Sequence, residues 1–374
     1  MKKILVYGLS NEWGGVEAIV MAMVQHLAGT CMFDIIHSLV PSFYEEKYKS
    51  DYIHFVHIPA WGSDRRGFAN GLKLLFQEKK YDYVWINGCL MANRTIVSVT
   101  KKYSEAKIIT HSHGSSFEEG NKLKRFILLA LHNLNRSYYR ANVDYPCMCS
   151  QKSGLWFYGE DYMNSHTVHY IKNGVDVNKY RFDKNTRDIY RKELGLVDEL
   201  ALFHAGRLTE VKNQRRILSI FADLLLTGIK AKLFVAGDGE LKEELEALTK
   251  SLGIEGFVCF LGKRNDVNNL YQAMDVMLLP SFHEGFPVTL TEAQASGLPC
   301  LVSDRVSEET NISGLVKYFS IDVESNKEWV DAIVKLANNP IAKRENYAKL
   351  LCEEGYDVSI VCDNFLEFIE VQQN

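Results

Sequence analysis

The sequence predicts an α/β protein built from two doubly wound, Rossmann-like domains that face a central cleft. Short apolar runs alternate with longer helical patterns along the whole chain. Many of these runs are continuously apolar, which is typical of strands buried on both faces of a parallel sheet. The rhythm occurs as two successive sets, and 374 residues are too many for one ordinary core, so two domains are expected.

The predicted strands follow one another from the amino terminus. The first, KILVYGL from Lys3, is interpreted as a strand and not as a targeting segment, because its apolar part is short and no small-residue cleavage site follows. The next runs are FDIIHSL, IHFVHIP, YDYVWINGC, AKIITHSHG and YPCMCS. After these come HTVHYIKNGVD, ELALFHAGRL, AKLFVAGDGE, FVCFLGKR, DVMLLPS and PCLVSD.

An Asn-Gly turn followed by polar residues, within 173–183, predicts the boundary between the domains. We assign residues 1–175 to the first domain and residues 176–350 to the second. Residues 351–374 are predicted to form a C-terminal helix that packs back on the first domain. Ligands of open α/β sheets bind at the carboxyl ends of the strands, so chemistry is expected in the turns that follow them.

Composition limits the functions that the chain can have. The net charge of −4 argues against a dedicated nucleic-acid binder. No apolar run approaches the roughly 20 residues that span a bilayer. The eight cysteines are scattered without a CxxC pair, so reduced thiols in a cytosolic protein are expected. No two aspartates stand two apart, so the D-x-D pair that holds a metal in many nucleotide-sugar enzymes is missing.

The turn after the first strand, GLSNEWGGVEAIV, contains Gly14 and Gly15 directly before a predicted helix. Glycines let a ligand approach the backbone, and the start of a helix offers free N–H groups. The pattern is not G-x-G-x-x-G, which disfavours a nicotinamide dehydrogenase. An ordinary glycine-rich turn is the alternative.

Two histidines, His111 and His113, lie at the end of a later predicted strand. We expect them to point to opposite sides of the strand, so that at most one faces the cleft. His113 is favoured as the site residue, because it stands beside Gly114 and nearer the loop. His111 is interpreted as a packed core histidine.

Cations follow two predicted strands of the second domain. Arg207 and Lys212 suit a pyrophosphate, which arginine can bind through two parallel hydrogen bonds. Arg264 lies in a loop that could receive a nucleobase, just before Asp266, a predicted helix N-cap. Solvated surface charges are the alternative for each of these turns.

The most informative segment is SFHEGFPVTLTEAQASGLPCLVSD, in which Glu284 and Glu292 are separated by seven residues. Pro287 is expected at the first position of a helix, where its missing N–H costs nothing. The N–H groups of Val288 and Thr289 are then free to hold a phosphate at the positive end of the helix dipole.

The two carboxylates flank this phosphate position. Glu292 lies four residues beyond Val288 on nearly the same helix face, so it can accept hydrogen bonds from hydroxyls such as those of a ribose. Glu284 lies outside the helix and can accept hydrogen bonds from a second set of hydroxyls. The order sugar, phosphate, sugar indicates a nucleoside diphosphate sugar as the ligand, and acids placed for solubility are the alternative.

These residues resemble the retaining GT-B glycosyltransferases of group 1, or family four, whose E-x7-E signature is present as Glu284 and Glu292. The segments GRLTEVKN, VAGDGE and FLGKRNDVNNLYQAMDVMLLPS match the family's upstream motifs in order and spacing. NGVD fits the segment that closes the first domain, while GGVE and HSHG fit that domain less specifically. The resemblance spans nearly the whole chain and is strongest over 170–310. It implies that the first domain binds the acceptor and that the second domain binds the nucleotide sugar.

The resemblance implies that Arg207 and Lys212 neutralise the donor diphosphate as it leaves. It implies that Glu292 holds the ribose hydroxyls and that Glu284 contacts hydroxyls of the transferred sugar.

Other residues receive their roles from the same resemblance. Backbone groups of Gly285 and Phe286 would lie near the sugar. Gly15 would let the first domain close over the diphosphate, and His113 would touch the donor sugar or its developing charge. The loop at Arg264 would receive the base.

The implied function is transfer of a sugar, with retention, from a nucleoside diphosphate sugar to a glycan or lipid-linked acceptor. UDP is expected as the nucleotide and bacterial polysaccharide or capsule assembly as the setting. No metal or other cofactor is expected, because cations and a helix dipole replace the metal. A nucleotide-sugar epimerase or phosphorylase of the same fold, or a non-catalytic nucleotide-sugar-binding protein, remains the alternative.

The segment 121–140, NKLKRFILLALHNLNRSYYR, is basic and amphipathic. It is predicted to lie on the inner face of the membrane and to bring a cytoplasmic enzyme to a lipid-linked acceptor. A helix that packs within its domain and exposes a solvated face is the alternative.

Overall fold

A computed structural model describes residues 1–38, 43–117, 122–322, 326–339 and 343–371. The chain divides into two compact units, one formed by Met1–Asn173 with Val358–Asn374 and the other by Gly174–Asp357. Each unit contains one parallel sheet with its connecting helices, which confirms the predicted doubly wound α/β fold.

Seven strands form the sheet of the first unit, in the order β3-β2-β1-β4-β5-β6-β7. They are β1 (Lys2–Tyr7), β2 (Cys31–His37), β3 (Ile53–His57), β4 (Tyr83–Gly88), β5 (Lys107–Ser112), β6 (Tyr145–Met148) and β7 (His169–Tyr170). The helices between them are α1 (Gly15–Leu27), α2 (Phe43–Tyr48), α3 (Arg65–Glu78), α4 (Thr95–Tyr103), α5 (Lys122–Asn142), α6 (Gln151–Tyr158) and α7 (Glu160–Ser165).

Six strands form the sheet of the second unit, in the order β10-β9-β8-β11-β12-β13. They are β8 (Leu200–Ala205), β9 (Ala231–Ala236), β10 (Val258–Gly262), β11 (Val276–Leu279), β12 (Cys300–Ser303) and β13 (Val316–Phe319). The helices are α8 (Val177–Tyr180), α9 (Lys184–Glu193), α10 (Gln214–Leu226), α11 (Lys242–Ser251), α12 (Val267–Ala273), α13 (Val288–Ala295), α14 (Lys327–Asn338) and α15 (Tyr347–Glu353).

Strand β11 shows why this sheet is covered on both faces. Its side chains alternate between two hydrophobic cores, with Val276 and Leu278 in one and Met277 and Leu279 in the other. All four side chains are fully buried. A strand that buries both of its faces must be apolar at every position, which is the continuous pattern that the sequence displays.

The last helix, α16 (Val358–Val371), belongs to the first unit. The ring of Phe365 packs 5.1 Å from that of Trp85, and the hydroxyl of Tyr83 donates to the carbonyl oxygen of Ile369 at 2.6 Å. Aromatic side chains of the central strand β4 therefore hold this helix on the sheet.

The sequence placed the second boundary at 350, which falls inside α15. The division observed in the structure lies after Asp357. Asp357 forms a parallel bridge with Val175, and the side chain of Leu351 is fully buried. These contacts keep residues 351–357 with the second unit.

Helix α5 contains the described part of the predicted membrane segment, and Asn121 lies outside the described residues. The exposed fractions of Leu123, Phe126 and Leu134 are 70%, 71% and 75%. Across the parts of the chain that the structure describes, no helix combines the length and hydropathy needed to cross a bilayer.

Candidate functional site

The strand order of the second unit places a switch point between β8 and β11. From β8 the chain continues to β9 and β10 on one side, and from β11 it continues to β12 and β13 on the other. The loops that leave these two strands diverge, and ligands of such sheets bind in the crevice between them. The two loops contain five of the predicted site residues: Arg207, Lys212, Glu284, Gly285 and Phe286.

Backbone and side-chain hydrogen bonds join the two loops. The N–H of Phe282 donates to the carbonyl oxygen of Val211 at 2.8 Å, and Nδ2 of Asn213 donates to the carbonyl oxygen of Pro280 at 3.1 Å. Asn213 has a φ of 52°, in the left-handed region that asparagine tolerates better than most residues. The loop after β8 is thereby fixed against the loop after β11.

Lys212 and Glu284 are in direct contact. Nζ of Lys212 donates to Oε1 of Glu284 at 2.5 Å, with side chains that are 19% and 13% exposed. A pair this far from solvent is screened less than a surface pair. The structure thus brings together the cation predicted to bind the diphosphate and the carboxylate predicted to bind the sugar.

The side chain of Arg207 is exposed. Its backbone is held by Gln214, which lies beside His204, and the sequence analysis missed both residues. Nε2 of Gln214 donates to the carbonyl oxygen of Arg207 at 2.7 Å and lies 3.1 Å from Nε2 of the buried His204. Nδ1 of His204 donates to the carbonyl oxygen of Leu278 at 3.0 Å. Burial lowers the pKa of His204 to about 4, so this ring is neutral at pH 7 and its Nε2 can accept.

Helix α13 begins at Val288, and Pro287 is its N-cap. Pro287 therefore lies one position before the first helical residue, and the prediction that it is that first residue is wrong by one position. Its carbonyl oxygen accepts from the N–H of Leu290 at 3.1 Å. Val288 and Thr289 occupy the first turn, where backbone N–H groups have no acceptor within the helix. Their role as phosphate-binding amides stays a prediction.

The residues before the helix are tightly packed. Gly285 and Phe286 are buried, and the ring of Phe286 stacks on that of Tyr356 at 5.6 Å with an interplanar angle of 14°. This stacking fixes the loop that carries Glu284 to the start of α13.

Glu292 is held by two tyrosines that the sequence analysis did not single out. Its Oε1 accepts from the hydroxyl of Tyr180 at 2.6 Å, and its Oε2 accepts from the hydroxyl of Tyr271 at 3.0 Å. Burial raises the pKa of Glu292, and the two tyrosine hydrogen bonds oppose that shift. Each carboxylate oxygen retains a second lone pair with which it can accept from a ligand hydroxyl.

Arg264 lies apart from the switch point, after the edge strand β10. Its Nε and Nη2 donate to the two carboxylate oxygens of Asp266 at 2.8 and 2.6 Å. Asp266 stands at the N-cap of α12, as predicted, but its side chain makes no capping hydrogen bond. The carboxylate of Asp266 instead accepts hydrogen bonds from Arg264 and, at 2.9 Å, from the hydroxyl of Tyr190.

The prediction that His111 and His113 point to opposite sides of their strand is wrong. Their ring centroids lie 4.0 Å apart, because residues two apart on a strand share a face. His111 is fully buried and stacks near Trp85, with centroids 6.3 Å apart. Nε2 of His113 lies 3.0 Å from Oδ1 of Asn87, and burial lowers the pKa of His113 to about 3.

Gly15 is the first residue of α1, and Gly14 is its N-cap. The loop before them is closed by a buried carboxylate, because Oε1 of Glu17 accepts from the N–H of Ser10 at 2.8 Å. A Cβ on Gly14 would lie 2.9 Å from the other oxygen of Glu17. Gly14 thus accommodates this carboxylate, which the sequence analysis missed. Gly15 and His113 belong to the first unit, separately from the residues at the β8–β11 switch point.

Two Rossmann-like units of seven and six parallel strands correspond to the GT-B fold of glycosyltransferases. The Anabaena protein Alr3699/HepE, solved in complex with UDP-glucose, matches this chain with a TM-score of 0.78. The match has 17% sequence identity and covers 99% of this chain and 100% of that one, and it shows the fold.

Residues 186–350 match the model of the family described as glycosyl transferases group 1. EpsF of Bacillus subtilis (strain 168), a proposed glycosyltransferase, is 34% identical over 252 residues. That alignment covers 67% of this chain and 64% of EpsF, so the chain spans just under two thirds of that relative's length. The Escherichia coli UDP-Gal:alpha-D-GlcNAc-diphosphoundecaprenol alpha-1,3-galactosyltransferase is 25% identical over 283 residues, which are 74% of this chain and 72% of that protein.

Proposed function

We propose that this protein is a retaining glycosyltransferase that moves a sugar from a UDP-sugar to a hydroxyl of a glycan or lipid-linked acceptor. The setting would be polysaccharide or capsule assembly in the cytoplasm. The Lys212–Glu284 ion pair at the switch point of the second unit carries the proposal. The match of residues 186–350 to the group 1 family covers this site. The names of HepE's ligand and of the E. coli relative support UDP as the nucleotide.

At the diphosphate, Lys212 and Arg207 supply positive charge. The lysine ammonium has three N–H donors, so it can keep one on Glu284 and offer the others to phosphate. The first-turn amides of Val288 and Thr289 add donors at the positive end of α13. Charge that develops on the leaving diphosphate meets donors already in place, which lowers the barrier to departure.

At the sugar, Glu284 accepts hydrogen bonds from hydroxyls of the transferred ring, with the backbone of Gly285 and Phe286 beside it. The bond from the anomeric carbon to the diphosphate oxygen breaks while the acceptor oxygen bonds to the same face. The leaving oxygen takes the acceptor's proton, which balances the step and gives retention. A covalent sugar trapped on Glu284 would replace this scheme with a double displacement.

The remaining residues are assigned to other parts of the same nucleotide-sugar donor. Glu292 accepts from the ribose hydroxyls with its remaining lone pairs, and the loop at Arg264 receives the base. The roles of Gly15 and His113 at the diphosphate and the donor sugar stay predictions from the family resemblance, since both residues belong to the first unit. None of these steps needs a metal, so transfer should persist in EDTA, and a strict requirement for Mg²⁺ would contradict the scheme.

The test is a transfer assay with a panel of UDP-, GDP- and ADP-sugars, on the wild type and on Lys212→Ala and Arg207→Ala. Each variant should lower turnover about ten-fold or more, because each removes a charge-assisted contact to the leaving group. Lys230→Ala is the matched control. Lys230 forms an exposed ion pair with Asp198 at 3.0 Å. It directly precedes β9, so it lies at the amino ends of the strands, whereas the site lies at their carboxyl ends.

Near-wild-type turnover in both site variants would remove the diphosphate assignment. Conversion of the donor sugar without an acceptor would instead indicate an epimerase. Binding of a UDP-sugar with neither transfer nor slow donor hydrolysis would indicate a non-catalytic binding protein.

We also propose that α5 docks the protein on an anionic membrane surface. The helix directs polar groups towards its own unit, where Nδ2 of Asn135 donates to the carbonyl oxygen of Met91 at 2.8 Å. Its apolar residues Leu123, Phe126 and Leu134 face solvent. The sequence of α5 contains lysine and arginine but no aspartate or glutamate, which complements anionic lipid.

Co-sedimentation with phosphatidylcholine vesicles, with and without phosphatidylglycerol, tests the docking. The wild type should bind the anionic vesicles, and a Phe126→Ser/Leu134→Ser double variant should bind them about ten-fold more weakly. Leu226→Ser is the control, since Leu226 is 85% exposed at the end of α10. Absence of binding to anionic vesicles would refute the docking and leave the glycosyltransferase proposal standing.

A further inference from the structure

Helix α13 presents Glu292 to two neighbouring helices of the second unit. Tyr180 is the last residue of α8, and Tyr271 lies within α12. The Tyr180 hydroxyl donates to Oε1 of Glu292 at 2.6 Å, and the Tyr271 hydroxyl donates to Oε2 at 3.0 Å. A donor on each oxygen fixes the plane of the carboxylate, which a single hydrogen bond would leave free to turn.

Both tyrosines are held in place by the packing of this unit. The Tyr271 side chain is fully buried, and its ring packs edge-on against Phe203 with centroids 5.3 Å apart. The ring of Tyr180 packs against that of Tyr271, with centroids 6.0 Å apart. Helix α8 is capped by Asp176, whose Oδ1 accepts from the N–H of Lys179 at 3.1 Å. The two hydroxyls are therefore in position before a ligand arrives, so the carboxylate need not be ordered on binding.

The two tyrosines orient Glu292 without neutralising its charge. Burial raises the pKa of the Tyr180 and Tyr271 hydroxyls above their ordinary value of 10, so both stay protonated and can donate. In the described part of the second unit, no cation forms an ion pair with Glu292, whereas Lys212 pairs with Glu284. The carboxylate keeps its charge, and hydrogen bonds to a charged acceptor are about twice as strong as those between neutral groups.

Each oxygen of Glu292 has one further lone pair to offer, and only a ligand with two neighbouring hydroxyls can use both. The 2′- and 3′-hydroxyls of a ribose are such a pair. A 2′-deoxyribose would engage one oxygen and leave the other with an unused, desolvated acceptor, which is unfavourable. Sites built to bond a hydroxyl strongly reject the analogue that lacks it.

We infer that Tyr180 and Tyr271 are positioning residues, which set the Glu292 carboxylate to accept from both hydroxyls of a ribose at once. They thereby make the site selective for ribonucleotides over 2′-deoxyribonucleotides. The inference rests on the proposed glycosyltransferase function, in which Glu292 is assigned to the ribose of the donor. It extends that assignment from the carboxylate to the two hydroxyls that orient it.

Calorimetric titration of the full chain with UDP, GDP and ADP, and with their 2′-deoxy counterparts, tests the inference. The wild type should bind at least one ribonucleotide, about ten-fold or more tighter than its 2′-deoxy form. In Tyr180→Phe and in Tyr271→Phe this ratio should fall at least about three-fold, because a carboxylate that can turn loses less when one hydroxyl is missing. A tyrosine with only a structural role would weaken both nucleotides equally and leave the ratio unchanged.

Tyr318→Phe is the matched control. Tyr318 is half-buried on β13, where its hydroxyl donates to the carbonyl oxygen of Ser307 at 3.2 Å and lies 3.0 Å from Oγ1 of Thr310. This variant loses hydroxyl hydrogen bonds within the same unit but none at Glu292, so its ratio should equal that of the wild type. If Tyr271→Phe does not fold, Tyr180→Phe decides the test, since Tyr180 is half-buried at the end of α8.

The inference and the function on which it rests fail in different ways. Absence of binding of all three ribonucleotides to the wild type would refute the glycosyltransferase proposal and the inference with it. Equal binding of a ribonucleotide and its 2′-deoxy form to the wild type would refute the inference alone. So would a ratio that is unchanged in the tyrosine variants, or one that falls equally in Tyr318→Phe.

Discussion

The switch points of the two units have the same topology and opposite chemistry. In the first unit, β1 and β4 end at an uncharged, aromatic-lined cavity of about 220 Å³. In the second unit, the loops after β8 and β11 contain the Lys212–Glu284 ion pair, and the second loop leads into α13. The shared strand order creates a crevice in each, while the loop residues give one crevice an uncharged aromatic lining and the other an ion pair.

Each switch point also has a buried histidine beside a side-chain amide. The amide oxygen contacts the histidine in the first unit, and the amide nitrogen contacts it in the second. Asn87 uses its oxygen on His113 and leaves its Nδ2 without an acceptor among the described residues. Gln214 uses its nitrogen near His204 and on the carbonyl of Arg207. The first amide therefore keeps an unused donor, whereas the second supports the loop that carries the cations.

The largest loss of stability is expected when alanine replaces a glycine that lets neighbouring strands approach closely. A Cβ on Gly8 would lie 1.7 Å from the carbonyl oxygen of Asn87, and one on Gly237 would lie 1.9 Å from that of Gly206. Gly8→Ala and Gly237→Ala should each cost about 3 kcal/mol or more in unfolding free energy, because backbone must move and φ is positive. Urea unfolding measures both values.

Gly29→Ala and Gly253→Ala are the matched controls. Both glycines have positive φ, but an added Cβ at either would meet nothing closer than 3.9 Å. Each should cost only about 1–2 kcal/mol for the left-handed conformation. A Gly8 variant no less stable than the Gly29 variant would show that β1 and β4 do not need this close approach.

Acid should weaken both switch points through their histidines. Burial lowers the pKa of His113 to about 3 and that of His204 to about 4, from an ordinary value of 6.5. The unfolded chain takes up protons at higher pH than the folded one, so this stability is present above pH 6.5 and is lost as pH falls. Each group should remove about 2 kcal/mol by pH 5, at 1.36 kcal/mol per unit of pH.

The measurement is the unfolding free energy of the wild type, His113→Asn and His204→Asn between pH 8 and pH 5. Each variant should lose part of the acid dependence. An unchanged slope in one of them would show that the corresponding switch point does not depend on a neutral ring.

A loss of stability of similar size is expected at Glu292, in the second unit. Tyr271→Phe removes one of the two hydroxyls that donate to its carboxylate and should cost about 1.5–3 kcal/mol at pH 7. Because burial raises the pKa of Glu292 above 4.5, the carboxyl takes up a proton early as pH falls. The cost of Tyr271→Phe should therefore decrease towards acid, where the hydrogen bond is between neutral groups. A cost that is constant or rises in acid would contradict this account.

The smallest effect is expected at the edge of the second sheet. The Arg264–Asp266 pair has side chains that are 35% and 30% exposed, and exposed pairs contribute less than about 1 kcal/mol. Arg264→Ala should change stability by less than that and raise the donor KM only about two- to three-fold. A loss of turnover as large as that of Lys212→Ala would show that the charged site extends from the switch point to β10.

The sequence predicts local features of both units well, because they depend on neighbouring residues. The continuous apolar run of β11 predicts a strand buried on both faces, and Pro287 locates the start of α13 to within one residue. The side shared by His111 and His113 was also predictable, since it follows from the two-residue period of a strand.

The partners of these residues could not be predicted from one sequence. Tyr180 reaches Glu292 from 112 residues away, and Lys212 reaches Glu284 from 72. Such contacts depend on which strands become neighbours, and no local pattern records that order. His204 was detectable as a polar residue at the end of an apolar strand, in the motif HAGRL. Asn87, in YDYVWINGC, gives the same signal.

Helix α16 makes the first unit discontinuous in sequence, because 174–357 stand between its sheet and its last helix. On the ribosome, the second unit can therefore complete its sheet while Trp85 still lacks the ring of Phe365 that covers it. The sheet of the nascent first unit keeps an apolar face exposed until Val358–Val371 has been synthesised. Dependence on chaperones during synthesis should accordingly concentrate on the first unit.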